Sequence, residues 1–233
     1  MQYHLMNKYP DFIRPAQTLK CGDRDIVILE SSDLVEYPDA IAFMEDYIAL
    51  IQKNEMPEAI WFLEHPDIYT AGTSAQKSDL LSENRFPVYE TGRGGQYTYH
   101  GPGQLIGYMM FNIAERGIGV REFVKKIEHM IIEALSFYDL KAVIREGRVG
   151  VWLPVDQTLS GTEDKIAAIG IRIRRGVSFH GFSVNLAPNL LNYTGIVPCG
   201  LSNYGVTSLK RCGKNPEKKV FLNNICKVLE SIF

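Results

Sequence analysis

Residues 166–186 read as two strands joined by a turn, and no other stretch constrains the fold as much. Ile169, Ile171 and Ile173 alternate with Gly170, Arg172 and Arg174, the period of a half-buried strand. Arg175-Gly176 makes a turn, and residues 177–186 return as the partner strand. A sheet begun this way needs cover, and the sequence supplies helices. Tyr37, Ile41, Met44, Ile48 and Ile51 recur at spacings of four and three, with Pro38 suited to the first turn. Val124, Ile127, Ile131 and Leu135 predict a second helix over 120–138. Val220, Ile225, Val228, Leu229 and Ile232 predict a third over 216–232. The apolar run 59–63, ended by Glu64-His65-Pro66, predicts a buried strand, and 105–113 another. Residues 142–144 and 151–153 flank Glu146-Gly147-Arg148 as a hairpin. The expectation is an α/β fold of α+β-like character: a mixed sheet flanked by helices, one domain over 1–233.

Composition excludes several classes. A net charge of −2 leaves no global basic footprint for nucleic acid. No apolar run approaches the roughly 20 residues needed to span a bilayer, and residues 1–10 lack the pattern of a signal or transit peptide. Cys21, Cys199, Cys212 and Cys226 form no C-x-x-C pair and no His spacing for zinc. They predict reduced thiols in a cytoplasmic protein with no metal site.

Residues 93–104 read Arg-Gly-Gly-Gln-Tyr-Thr-Tyr-His-Gly-Pro-Gly-Gln. Four glycines and a proline in twelve residues are incompatible with a helix interior or a regular strand. Arg93, Tyr97, Tyr99, His100 and Gln104 are nevertheless large polar groups of the kind that binding sites use. Glycine lets backbone approach a ligand closely; the plain alternative is a hairpin loop carrying a few aromatics.

Cys199 lies in Gly-Ile-Val-Pro-Cys-Gly, with a proline before it and an uncrowding glycine after it. The N–H groups of Cys199 and Gly200 suit an oxyanion hole; the alternative is a loop cysteine acting as a small hydrophobe. Lys165 opens the strand Ile166-Ala-Ala-Ile169. Desolvation there favours the neutral amine, the form that acts as a base, although most lysines at strand ends are solvated. His180 either lines a pocket or packs in the core.

In order along the chain, the glycine segment, Lys165-Ile-Ala-Ala-Ile-Gly170 with Phe179-His-Gly181, and Pro198-Cys-Gly200 resemble the lipoyl(octanoyl) transferase family. Glu64-His65-Pro66 through Tyr69-Thr-Ala-Gly72 and Val206-Thr-Ser-Leu209 resemble it too, so the likeness runs from about 30 to 210. The resemblance implies a fold similar to the catalytic module of lipoate and biotin protein ligases. It implies transfer of an octanoyl (or lipoyl) group from acyl carrier protein to a lysine of lipoyl domains, the first step of lipoate biosynthesis. The acceptors would be the lipoyl domains of 2-oxoacid dehydrogenases and the glycine cleavage H protein. Cys199 would carry the acyl group as a thioester, and Lys165 would be the general acid/base. Substrate-binding positions would be Arg93, Gly94, Gly95, Gln96, Tyr97, Thr98, Tyr99 and His100, then Ala168, Ile169 and Gly170, then Gly181, Phe182 and Ser183. No cofactor is implied, since phosphopantetheine enters on the carrier protein. The expected protein is a monomer that binds neither nucleic acid nor membrane.

This chemistry agrees with the residues. A thiol of reference pKa ~8.5 is a few per cent thiolate at neutral pH, and bringing it to about 7 requires ~2 kcal/mol of anion stabilisation. One nearby ammonium supplies that in a partly dry pocket. Arg172, Arg174, Arg175, Lys210, Arg211, Lys214, Lys218 and Lys219 are candidate docking charges for acidic carriers, or simply solvated surface. The rival readings are an ATP-dependent lipoate or biotin protein ligase, a cysteine-dependent thioesterase, and an inactive binder of acylated carrier protein.

Overall fold

The structure is a computed structural model that describes residues 5, 8–9, 13–200 and 204–233, with the side chain of Cys199 outside the description. Twelve strands are formed by the described residues. They are β1 (Arg14–Cys21), β2 (Arg24–Leu34), β3 (Glu58–Glu64), β4 (Ile68–Ala71), β5 (Val88–Glu90), β6 (Tyr97–His100), β7 (Gln104–Met110), β8 (Val143–Arg145), β9 (Arg148–Leu153), β10 (Asp164–Arg174), β11 (Val177–Asn185) and β12 (Gly205–Val206). Helices α1 (Tyr37–Ile51), α2 (Val120–Ser136) and α3 (Lys218–Ile232) accompany them.

The large sheet runs β1-β2-β3-β7-β11-β10-β9-β8, with β12 added beside β10. The pairs β2/β3 and β10/β12 are parallel and its other pairs antiparallel. A second sheet, β5-β4-β6, holds the glycine segment.

Side-chain alternation on β3 decides how the helices are placed. Ile60 and Phe62 face one core with Phe123, Ile127 and Ile131 of α2 and Phe221, Ile225 and Leu229 of α3. Ala59, Trp61 and Leu63 face the other with Phe43, Met44, Tyr47 and Ile48 of α1. A strand covered on both faces reads as an unbroken apolar run, which is why 59–63 lacks alternation. Burying each such side chain contributes about 1.5–3 kcal/mol, so Phe62→Ala should cost about 3–5 kcal/mol.

The hairpin expected over 166–186 is β10/β11, with Ile171 opposite His180 and Arg174 opposite Val177. Arg175, at φ 49°, and Gly176 turn it. The 142–153 hairpin is β8/β9. One expectation is corrected: the second half of the glycine segment is regular strand, because Tyr97–His100 pairs antiparallel with Ile68–Ala71. The glycines lie on either side of β6, where they do not interrupt its ladder.

Candidate active site

The glycine segment is held in place mainly by its arginine. Arg93 is buried, and its guanidinium donates to the Thr70 carbonyl (2.7 Å), Thr70 Oγ1 (2.7 Å) and the carbonyls of Gln96 (2.9 Å) and Gly94 (2.9 Å). One forked cation thus satisfies carbonyls that a glycine-rich turn leaves pointing inward. Backbone bonds finish the clamp: Ser74 N–H donates to the Gly95 carbonyl (3.0 Å), and Gly94 N–H to the Ile171 carbonyl of β10 (3.1 Å). Absence of a side chain matters at Gly72, where a Cβ would collide with the Gly95 carbonyl.

Between this segment and the β10/β11 hairpin lies a cavity of about 340 Å³, within the size range of small-molecule sites. Thirteen of the expected substrate-binding positions line it, together with Lys165; Tyr99 does not. Tyr99 alternates to the other face of β6, where its hydroxyl donates to Asp67 (2.6 Å). Tyr37, Ile106, Tyr108, Gly147, Arg148 and Val149 also line the cavity, and the sequence marked them only as structural positions. His180 lines it too, and adopts φ 62°, which is unusual for a residue with a side chain. Its buried Nε2 finds no partner among the described residues.

Besides the Arg93 cation, neutral histidines line and back the cavity wall. His65 Nδ1 donates to the Val35 carbonyl (2.6 Å), so its Nε2 accepts from the Tyr108 hydroxyl (2.7 Å). His100 Nδ1 donates to Gln104 Oε1 (2.7 Å), because the Gln104 amide nitrogen faces the acceptors Tyr99 O and Asn185 Oδ1. Burial holds His65 down to about 4 and His100 and His180 down to about 3. All three imidazoles are therefore neutral at physiological pH.

Lys165 is 8% exposed. Its Nζ donates to the Val149 carbonyl (3.1 Å) and stands 4.7 Å from the centre of the Trp152 ring. A β-bulge sits here: Lys165 pairs with Trp152 and Ala167 with Val151, so Ile166 is the extra residue. Bulges re-aim side chains beside active sites.

Cys199 sits in a 3-10 turn, Pro198–Gly200. The turn is fixed against the glycine segment, because a Cβ on Gly200 would collide with Gln96 Oε1. That oxygen is buried and has no hydrogen-bond partner among the described residues. The chain then returns along β10, with Val206 beside Lys165 and Thr207 N–H donating to the Lys165 carbonyl (3.0 Å). The Cys199–Lys165 side-chain contact itself lies outside the described residues. The oxyanion expectation needs a correction: Gly200 N–H donates to the Val197 carbonyl (3.1 Å) and is not free for a substrate oxygen.

The other thiols have structural surroundings. Cys21 and Cys226 are buried in the core, which pushes both up to about 11, and Cys212 is half-buried.

Residues 36–231 match the family described as the lipoyl protein ligase A/B catalytic domain. The chain belongs to this family. An octanoyltransferase of Rhodospirillum rubrum is 49% identical over 85% of this chain and 91% of its own length. One from Maricaulis maris is 55% identical over 78% of this chain and 80% of its own. Among solved structures, a lipoate-protein ligase A bound with ATP superposes with a TM-score of 0.63 at 12% identity, covering 89% of this chain and 84% of that one. A bipartite lipoate protein ligase of Thermoplasma acidophilum gives 0.62 at 16% identity, over 85% and 81%. The ligase likenesses establish the fold, a mixed sheet with flanking helices.

Proposed function

We propose that this chain is an octanoyltransferase of protein lipoylation, moving an octanoyl group from acyl carrier protein to a lipoyl-domain lysine through a thioester on Cys199. Cys199 sulfur bonds to the octanoyl carbonyl carbon as the bond from that carbon to the pantetheine sulfur breaks. Lys165 carries the proton from the thiol to the departing sulfur. The acceptor lysine then forms its amide bond to the same carbon, the Cys199 bond breaks, and Lys165 returns the amine's proton to Cys199. Lysine has no tautomer to fix, so no third residue is required.

The observation that carries this reading is the wall shared by two elements. Lys165 lines the cavity, and the Cys199 turn is seated through Gly200 on Gln96, which lines it too. Cys21 and Cys226, raised by burial, do not compete as nucleophiles.

The cavity walls suit an acyl tail. Ala168, Ile169, Gly170 and Phe182 offer apolar or small surface, and each methylene buried there is worth roughly 0.8 kcal/mol. Phosphopantetheine arrives with the carrier, so the protein supplies only residues. No helix of the described residues is long and apolar enough to cross a membrane; we place the enzyme in the cytoplasm as a monomer built on one catalytic domain.

Basic residues offer a docking surface of uneven quality. Lys218 pairs with Glu64 (3.0 Å) and Lys219 with Glu30 (2.8 Å), and Arg174 faces Glu45 (3.4 Å). Lys210 and Arg211 border a separate groove with residues 187–191. Steering of acidic carriers falls to that pair and to Arg175.

The test is transfer to a purified lipoyl domain from octanoyl-carrier protein, with and without ATP. An octanoylated lysine formed without ATP is the expected product. Transfer only from free octanoate plus ATP would place the chain with the ligases, and release of free octanoate with an amine acceptor present would make it a thioesterase.

A further inference from the structure

Helix α2 presents one acid to an otherwise apolar core. Glu128 is 3% exposed, in a row with Phe123, Ile127, Ile131 and Leu135. Its Oε1 accepts the Gly150 N–H at 3.0 Å. Gly150 occupies the point of β9 where a side chain is forbidden. Its φ is 121°, and a Cβ would lie 2.7 Å from the Ala167 carbonyl and 3.3 Å from Lys165 Cε. The neighbouring Val149 carbonyl receives the Lys165 ammonium. A carboxylate from α2 therefore holds the N–H of the same peptide unit whose carbonyl receives the Lys165 amine.

We propose that Glu128 is a positioning residue for Lys165, fixing the Gly150 backbone so that the Val149 carbonyl holds the amine. The proposal rests on the reading of Lys165 as the general acid/base, which it deepens.

Charges around the pair define what each feels. Burial raises Glu128 above the usual carboxylate range. The Gly150 hydrogen bond, His129 and Lys125 on its own helix, and Lys165 on β10 all pull it down. On Lys165's side, Arg148 of β9 stacks over the same Trp152 ring (4.7 Å) and over Tyr204 (4.1 Å), while Glu163 neutralises it (2.7 Å). Asp164 is turned away, accepting from Ser160 (2.7 Å) and Thr162 (3.2 Å). Among these described acids, Glu128 alone combines burial with a bond to the strand that holds the lysine amine. A carboxylate kept where ionisation is penalised is a poor device for stability.

The experiment is the rate of acyl-enzyme formation in wild type, Glu128→Gln and Glu128→Ala. Glutamine keeps an acceptor for Gly150 N–H and alanine removes it. The rate should fall about tenfold or more in Glu128→Ala and recover in Glu128→Gln, with a cooperative melt retained in both. Equal rates in the two variants, or a loss in Glu128→Ala that only follows a fall in Tm, would overturn the proposal.

Should Glu128→Gln fail to fold, the Gly150 amide resonance reports on the same coupling. Its titration midpoint should rise in Lys165→Met relative to wild type, and an unmoved midpoint would overturn the proposal. This readout needs no turnover, so it separates loss of the coupling from failure of Lys165 as the base.

Discussion

Gly200 is seated directly on the Gln96 side chain, and that contact joins the Cys199 turn to the glycine segment. The turn has left-handed backbone at Gly200, φ 64°, and no room for a Cβ beside Gln96 Oε1. The turn that carries Cys199 is thus registered against the cavity wall by the absence of one methyl group.

Gly200→Ala should therefore disable acylation more than it unfolds the protein. The added methyl must displace Gln96, and the left-handed backbone costs about 1–2 kcal/mol for alanine. A fall in acyl-enzyme formation of about tenfold or more, read by intact-protein mass with time, is expected with a cooperative melt retained. Unchanged acylation would show that the turn moves freely of Gln96.

Arg93 does structural work that a second cation cannot reproduce. Hydrogen bonds from a charged group are worth about 1.5–3 kcal/mol each, and Arg93 makes four. Arg93→Met should cost at least about 3 kcal/mol in urea unfolding. Arg93→Lys should recover only part, since an ammonium lacks the planar fork. Full recovery by lysine would count against the clamp.

Acid should destabilise the protein through its buried histidines. Their pKa values are lowered in the fold, to about 4 for His65 and about 3 for His100 and His180. In the unfolded chain they take up protons near pH 6.5, so the unfolded state binds more protons below that pH. Stability is intact above about 6.5 and falls as pH drops toward 4, by up to about 1.4 kcal/mol per pH unit for each histidine. Urea unfolding at pH 7, 6 and 5 checks this; equal stability at all three would show that these histidines are not held neutral.

Much of this site could be read before the fold was known, and the parts that could not have identifiable reasons. Helix α1 and the β10/β11 hairpin announce themselves through periodicities that burial enforces. Lys165 and Cys199 stand in short segments whose order along the chain carries a family likeness. Strand β1 gave no such signal, because it is largely exposed along its length; β2 went unread although its buried run Ile26, Val27, Ile28 and Leu29 resembles that of β3. Strand β6 was hidden by the glycines around it. Glu128 was invisible for another reason: in sequence it is one more acid on an amphipathic helix, and only the approach of Gly150 gives it a role. Tyr99 turns away from the cavity that Thr98 and His100 line, as the strand period of two requires, whereas Tyr97 on the same face of β6 still reaches the cavity.

Gly107→Ala should overpack the core. A Cβ there would collide with the Phe182 ring, which packs on Phe62. Such overpacking should cost about 1–3 kcal/mol, read as a fall in the urea midpoint; an unchanged midpoint would mean the ring relaxes elsewhere.

The central claim is that the acyl group rests on Cys199, and intact-protein mass after mixing with octanoyl-carrier protein tests it most directly. Wild type should gain one octanoyl group that hydroxylamine removes, peptide mapping should place it on Cys199, and a lipoyl domain should discharge it without ATP. Cys199→Ser should form no such thioester and Lys165→Ala should form it slowly. An adduct on Cys212, or transfer that proceeds with Cys199 replaced by serine, would contradict the account.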